Sequence, residues 1–141
     1  MGRVSKVTTR YRVVVVGTGK RGVHHAAAFA ANPRFELSGI ADSDQARLDA
    51  AAAKFGSAKS GTDTQKLIEE VKPDVFCFCT PPNVRLPLIE LGIKSGAKLI
   101  AFEKPVAMTS NEGIAIDSKS RQENIANSAN HTILRWLRIR R

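Results

Sequence analysis

Three glycines, Gly17, Gly19 and Gly22, follow directly on the apolar run Val13 to Val16. Glycines so spaced, at the end of a strand and the start of a helix, suit a pyrophosphate. The first takes the tight turn, the second leaves room for phosphates against the backbone, and the third lets the helix pack on the strand. The helix then aims its free N–H groups and positive dipole end at the anion. The candidate contacts in this loop are Gly17, Thr18, Gly19, Lys20, Arg21 and Gly22. By itself the pattern also fits an ordinary glycine turn. Its context is Asp42, which closes a second apolar stretch, FELSGIAD, at about the 20-residue separation that a dinucleotide fold uses for its ribose-binding acid. A carboxylate there repels a 2′-phosphate and so favours NAD over NADP, unless Arg47 or Lys20 folds over the site and offsets the repulsion. Asp42 also suits the N-cap of the following helix.

Such a loop needs a sheet beneath it. Four successive valines cannot show one wet and one dry face, so they read as a strand covered on both sides. An alanine-rich helix over about residues 20–31 is stopped by Asn32 and Pro33. Leu48, Ala51, Ala52 and Phe55 stand at helical spacing. Ser57 to Ser60 reads as a short third strand, and Thr62 with Gln65 as a capping box for a helix reaching about Val71. DVFCFCT is the next strand. A helix from about Asn83 to Ser95 tolerates Pro87 in its first turn, and KLIAFE, Lys98 to Glu103, is a fifth strand. This alternation predicts an α/β fold: a doubly wound, mostly parallel, Rossmann-like sheet in three αβα layers.

The chain has 141 residues and a formal charge of +9, yet the segment 13–118 is neutral and the excess lies wholly at the ends. The organisation expected is a basic lead over residues 1–12, a dinucleotide-binding domain over 13–118, and a basic tail over 119–141 in which a sixth strand is left open. Terminal arginines without interleaved aromatic residues read as solvated ends, so no specific nucleic-acid partner is expected. Cys77 and Cys79 alternate along one strand and share a face, which is no disulfide framework, and no metal site is expected. No apolar run approaches the roughly 20 residues of a membrane helix, and no secretory leader is recognised, so a reducing cytoplasm is the expected location.

CTPPNVR, from Cys79, and FEKPVAMT, from Phe102, follow the fourth and fifth expected strands. Together with GTGKRG and IADSD, in this order, they resemble the Gfo/Idh/MocA family, named for glucose-fructose oxidoreductase and inositol dehydrogenase. The resemblance covers about residues 12–113. It implies an NAD(P)-dependent oxidoreductase acting on a sugar, polyol or related carbonyl compound. Thr80 and Pro81 would border the nicotinamide, Lys104 would be the principal catalytic lysine of the first domain, and Glu103 would orient Lys104 or help fix the nicotinamide end. A lysine at the carboxyl edge of a sheet can hydrogen-bond a substrate hydroxyl and help pass its proton as hydride leaves the same carbon.

Two departures qualify the resemblance. Arg85 stands where the family commonly has a histidine, and the chain ends before the second α/β domain that builds most of the family's substrate pocket. His131 and Trp136 do not replace that domain, and His24 and His25 read as surface or packing residues. The chain alone is therefore expected to bind cofactor, to turn over little, and to self-associate through uncovered sheet surface. A non-catalytic NAD-binding or regulatory module is the alternative.

Overall fold

The computed structural model describes residues 10–80, 84–102 and 126–129, the last as backbone. Ten elements follow one another: β1 (Tyr11–Val16), α1 (Lys20–Ala31), β2 (Phe35–Ala41), α2 (Gln45–Lys54), β3 (Lys59–Gly61), α3 (Thr64–Val71), β4 (Val75–Phe78), α4 (Arg85–Lys94), β5 (Leu99–Phe102) and β6 (Ala126–Ala129). The six strands form one sheet in the order β3-β2-β1-β4-β5-β6, and every neighbouring pair is parallel. The order reverses between β1 and β4, which makes that crevice the topological switch point of an open α/β sheet.

Side-chain alternation along the strands divides the core into two layers. Val13, Val15, Val75, Cys77, Leu99 and Ala101 pack with Ala26 and Phe29 of α1 and Leu48 and Ala51 of α2. Val14, Val16, Phe76, Phe78, Ile100 and Phe102 pack on the other face with Leu67 and Ile68 of α3 and Ile89 of α4. The valine run is buried on both faces because each face carries helices, as its lack of alternation requires. Cys77 and Cys79 lie on the same face, and neither is in a disulfide among the described residues. A register shift beside Val13 and Val14 lets Leu37 and Ile40 of β2 share a face, although an unbroken strand would put them on opposite ones.

Local stops follow the chain chemistry. Asn32 ends α1, and its side chain accepts a hydrogen bond from the Arg34 N–H across Pro33. Thr62 is not the cap of α3; the Asp63 carboxylate accepts from the Lys66 N–H, one residue later than expected, because it is the carboxylate that meets the open end of the helix. The third strand is also displaced from Ser57–Ser60 to Lys59–Gly61. β6, in the segment where a sixth strand is left open by the sequence, adds to β5 through the parallel ladder between Leu99–Phe102 and Ala126–Ala129.

Candidate dinucleotide site

The parallel register of β1 and β2 pairs Val16 with Ala41, so the residues leaving the two strands, Gly17 and Asp42, emerge together. The Gly17 N–H donates to the Ala41 carbonyl at 2.8 Å, and the Cys79 N–H donates to the Val16 carbonyl at 2.8 Å. Three chain exits are thereby stitched at the carboxyl edge of β2, β1 and β4, on both sides of the switch point.

Each glycine of the loop has a separate physical reason. Gly17 has φ +88°, a left-handed conformation that disfavours a side chain, and a Cβ there would come 2.5 Å from the Cys79 carbonyl oxygen. A Cβ on Gly22 would overlap the Gly17 carbonyl oxygen, so α1 can begin this close to β1 only with glycine. Gly19 is different. Its φ of −68° and ψ of −171° are open to any residue, and among the described residues a Cβ would meet only Arg47 Nη1, at 3.8 Å. Protein packing therefore gives no reason for Gly19, whereas space kept for a ligand does. Gly19 is the N-cap of α1, no side chain caps that helix, and no acid stands in its first turn. Its leading N–H groups and dipole end are thus left to an external anion, with Lys20 and Arg21 exposed beside them.

Asp42 is not the N-cap of α2. That role falls to Asp44, whose carboxylate accepts from the Ala46 and Arg47 N–H groups. Asp42 instead faces the glycine loop. Its Oδ2 accepts from the Thr18 N–H at 2.8 Å and the Thr18 hydroxyl at 2.9 Å, and its Oδ1 accepts from the Asp44 N–H at 2.8 Å. Asp42 is 7% exposed and Thr18 6%. Burial raises the pKa of Asp42, but hydrogen bonds from Asp44 and Thr18, with the positive charge of Arg47, outweigh it and hold the carboxyl below its ordinary value. This latch between loop and strand could not be read from the sequence, where Asp42 and Thr18 were separate candidate contacts. The signal was present only as a short hydroxyl residue between two glycines.

Thr80 follows β4 at the switch point, and its methyl group borders Gly17. Its Oγ1 is buried with no hydrogen-bond partner. An orphaned hydroxyl is costly in a folded protein and common where a ligand completes the bonding. Open space at Gly19, the uncapped helix and this hydroxyl together fit a bound dinucleotide. Pro81, Glu103 and Lys104 lie outside the described residues, as do His131 and Trp136. His24 is exposed on α1, with its ring 5.9 Å from that of His25.

Comparison with known proteins agrees with this geometry. The chain is 31% identical over 99 residues to D-glucoside 3-dehydrogenase of Escherichia coli, a match covering 70% of the chain and 28% of that protein. It is 27% identical over 121 residues to levoglucosan dehydrogenase of Pseudarthrobacter phenanthrenivorans, covering 80% of the chain and 31% of the relative. The chain thus spans about a third or less of the length of these relatives. The crystal structure of GenD2 from gentamicin A biosynthesis, in complex with NAD, shares the fold with a TM-score of 0.80 at 24% identity, over 94% of this chain and 38% of that one. The sequence model of the oxidoreductase family with an NAD-binding Rossmann fold matches residues 11–131. With the glycine loop, the uncapped helix and the reversed strand order already in place, the chain belongs to the Gfo/Idh/MocA oxidoreductase family, as its NAD-binding Rossmann domain.

Proposed function

We propose that this chain serves hydride transfer between NAD(H) and a sugar, polyol or related carbonyl compound. The observation that carries the reading is Gly19, whose side-chain space meets no described residue closer than Arg47 Nη1 at 3.8 Å and lies at the uncapped end of α1. The dehydrogenases it resembles act, by their names, on a D-glucoside and on levoglucosan, which supports a carbohydrate substrate. Bound at this edge, the nicotinamide supplies or accepts the hydride. The protein's part is to hold the diphosphate on the N–H groups of α1, to keep the loop shaped through Thr18 and Asp42, and to satisfy the Thr80 hydroxyl. Pro81 and Glu103 border the nicotinamide end, and Lys104 hydrogen-bonds the reacting hydroxyl and takes part in moving its proton. Self-association through the sheet edge at β6 and a cytoplasmic location, where Cys77 and Cys79 stay reduced, complete the reading.

Calorimetric titration with NAD(H) tests the cofactor assignment. Saturable binding is expected, and folded protein with no affinity overturns it. For the chemistry, sugars and polyols are assayed for NAD reduction with wild type and Lys104→Ala. Any turnover is expected to vanish in the variant while NADH binding persists; turnover independent of Lys104 removes its assigned role. Sedimentation velocity showing a monomer at every concentration removes the association.

A further inference from the structure

A lysine near a helix C-terminus ordinarily serves the last carbonyls and the negative end of the dipole. Lys72 and Lys94 close α3 and α4, yet carbonyls there have other donors. The Lys72 N–H donates to the Ile68 carbonyl at 2.8 Å, and the N–H groups of Ser95, Gly96 and Ala97 donate to Leu91, Ile93 and Gly92. Neither ammonium has an ion-pair partner among the described residues. Lys72 is also the one non-glycine among the described residues with a positive φ, +51°. Glycine is the residue that ordinarily ends a helix in this left-handed conformation, and Pro73, which follows, restricts Lys72 further. Backbone strain is thus retained together with a lysine side chain.

Both lysines line a cavity of about 380 Å³ between α3 and α4. Gln65, Ile68, Glu69 and Lys72 form one stripe along α3, and Leu91 with Lys94 forms the facing stripe on α4. The lining is mostly apolar, and the volume lies in the range of small-molecule clefts, about 300–1,000 Å³. Its other polar groups are engaged within the protein: the Gln65 amide donates to Glu69 at 3.2 Å, and the Ser95 hydroxyl donates to the Gly92 carbonyl at 2.7 Å. The two ammonium groups are therefore the side-chain donors left, at the end of the cavity where both helices stop. α3 and α4 run back to the starts of β4 and β5 on the face opposite α1, so this cavity is remote from the glycine loop.

We propose that the cavity between α3 and α4 binds a small monocarboxylate with an apolar body, an alkyl or aryl carboxylic acid. Its carboxylate sits between Lys72 and Lys94, and its body lies along Ile68 and Leu91. The charges match in kind and in place. Two unpaired cations at one end suit one anion, while Glu69, one turn back along α3, repels a second carboxylate. Burial of the apolar body supplies affinity, and the ammonium groups fix its direction. The assignment is independent of the dinucleotide site.

The test is titration of the full chain with octanoate and with octanol, its uncharged counterpart, followed by backbone amide NMR shifts. Saturable shifts over α3 and α4 are expected, with octanol about tenfold weaker, as loss of a charge-assisted contact implies. Lys72→Gly removes the ammonium while suiting the left-handed backbone, so it is expected to melt close to wild type. It is expected to bind octanoate about fivefold or more weakly and octanol within about twofold, and Lys94→Gln to do the same. Leu91→Gln is expected to weaken both probes alike, and added salt to weaken octanoate alone. Equal affinity for acid and alcohol, octanoate binding untouched in both lysine variants, shifts confined to the glycine loop, or no saturable shift at all each overturn the proposal. A wild-type dimer in sedimentation velocity that Leu91→Gln dissociates, with no octanoate binding, also overturns it, because the groove then belongs to a second copy of the chain.

Discussion

Substituting the three loop glycines one at a time separates space kept for a ligand from space needed by the fold. In Gly19→Val the backbone already has angles that a β-branched residue accepts, and the nearest atom to the new Cβ is the end of the exposed Arg47 side chain at 3.8 Å. A poorer N-cap is offset by reduced freedom of the unfolded chain, so the stability change is expected to stay within about 1 kcal/mol. In Gly22→Ala the Cβ would overlap the Gly17 carbonyl oxygen, so α1 must be pushed off β1. A backbone overlap in a packed region is expected to cost about 3 kcal/mol or more. Gly17→Ala combines a left-handed φ of +88° with a Cβ 2.5 Å from the Cys79 carbonyl oxygen. The conformation alone costs about 1–2 kcal/mol, and the overlap adds to it. By calorimetric melting, Gly22→Ala is expected to lose roughly 10 °C, while Gly19→Val moves by a few degrees at most. NADH fluorescence titration reverses the order of interest: Gly19→Val, well folded, is expected to show no binding. Normal NADH affinity in Gly19→Val, or a wild-type melt for Gly22→Ala, refutes this division of roles.

Further outcomes follow from the same site. Because the Asp42 carboxyl is held below its ordinary value, its contribution to stability is full above the ordinary aspartate pKa of about 4 and is lost as pH falls through the lower folded value. Melting curves from pH 7 downward should show a difference between wild type and Asp42→Asn that narrows below pH 4; parallel profiles would exclude the latch. Thr80→Val removes a buried hydroxyl without a partner, so the cofactor-free protein is expected to gain about 1 kcal/mol while NADH affinity falls several-fold. A loss of stability there would show that the hydroxyl already has a partner. Phe76→Ala opens a cavity between β4 and α4, whose Gly92 would place a Cβ only 2.7 Å from the Phe76 ring, and is expected to cost about 3–5 kcal/mol in chemical denaturation.

The alternation of strands and helices was legible because its causes are local: four valines cannot be half-exposed, Asn32-Pro33 cannot continue a helix, and three glycines can make a tight strand-to-helix turn. Boundaries that moved did so where several residues could serve. Thr62 and Asp63 are both capping types, and the geometry of the chain entering α3 chose the carboxylate. β6 could not be assigned from sequence because ANSA carries no apolar alternation, and what makes it a strand is pairing with β5.

For the site, the sequence by itself determined the glycine turn, the helix end behind it and the acid that follows β2. All of these are properties of residue type and spacing. Which atoms meet was decided only by the tertiary structure. Thr18 and Asp42 are 24 residues apart and touch because β1 and β2 pair in one parallel register. That register turns the carboxylate into the loop, leaves Arg47 as the outward charge, and separates Gly19, free for a ligand, from Gly17 and Gly22, which the fold itself requires. Spacing along a chain can nominate such residues, but the direction of a side chain is set by the neighbours it packs against.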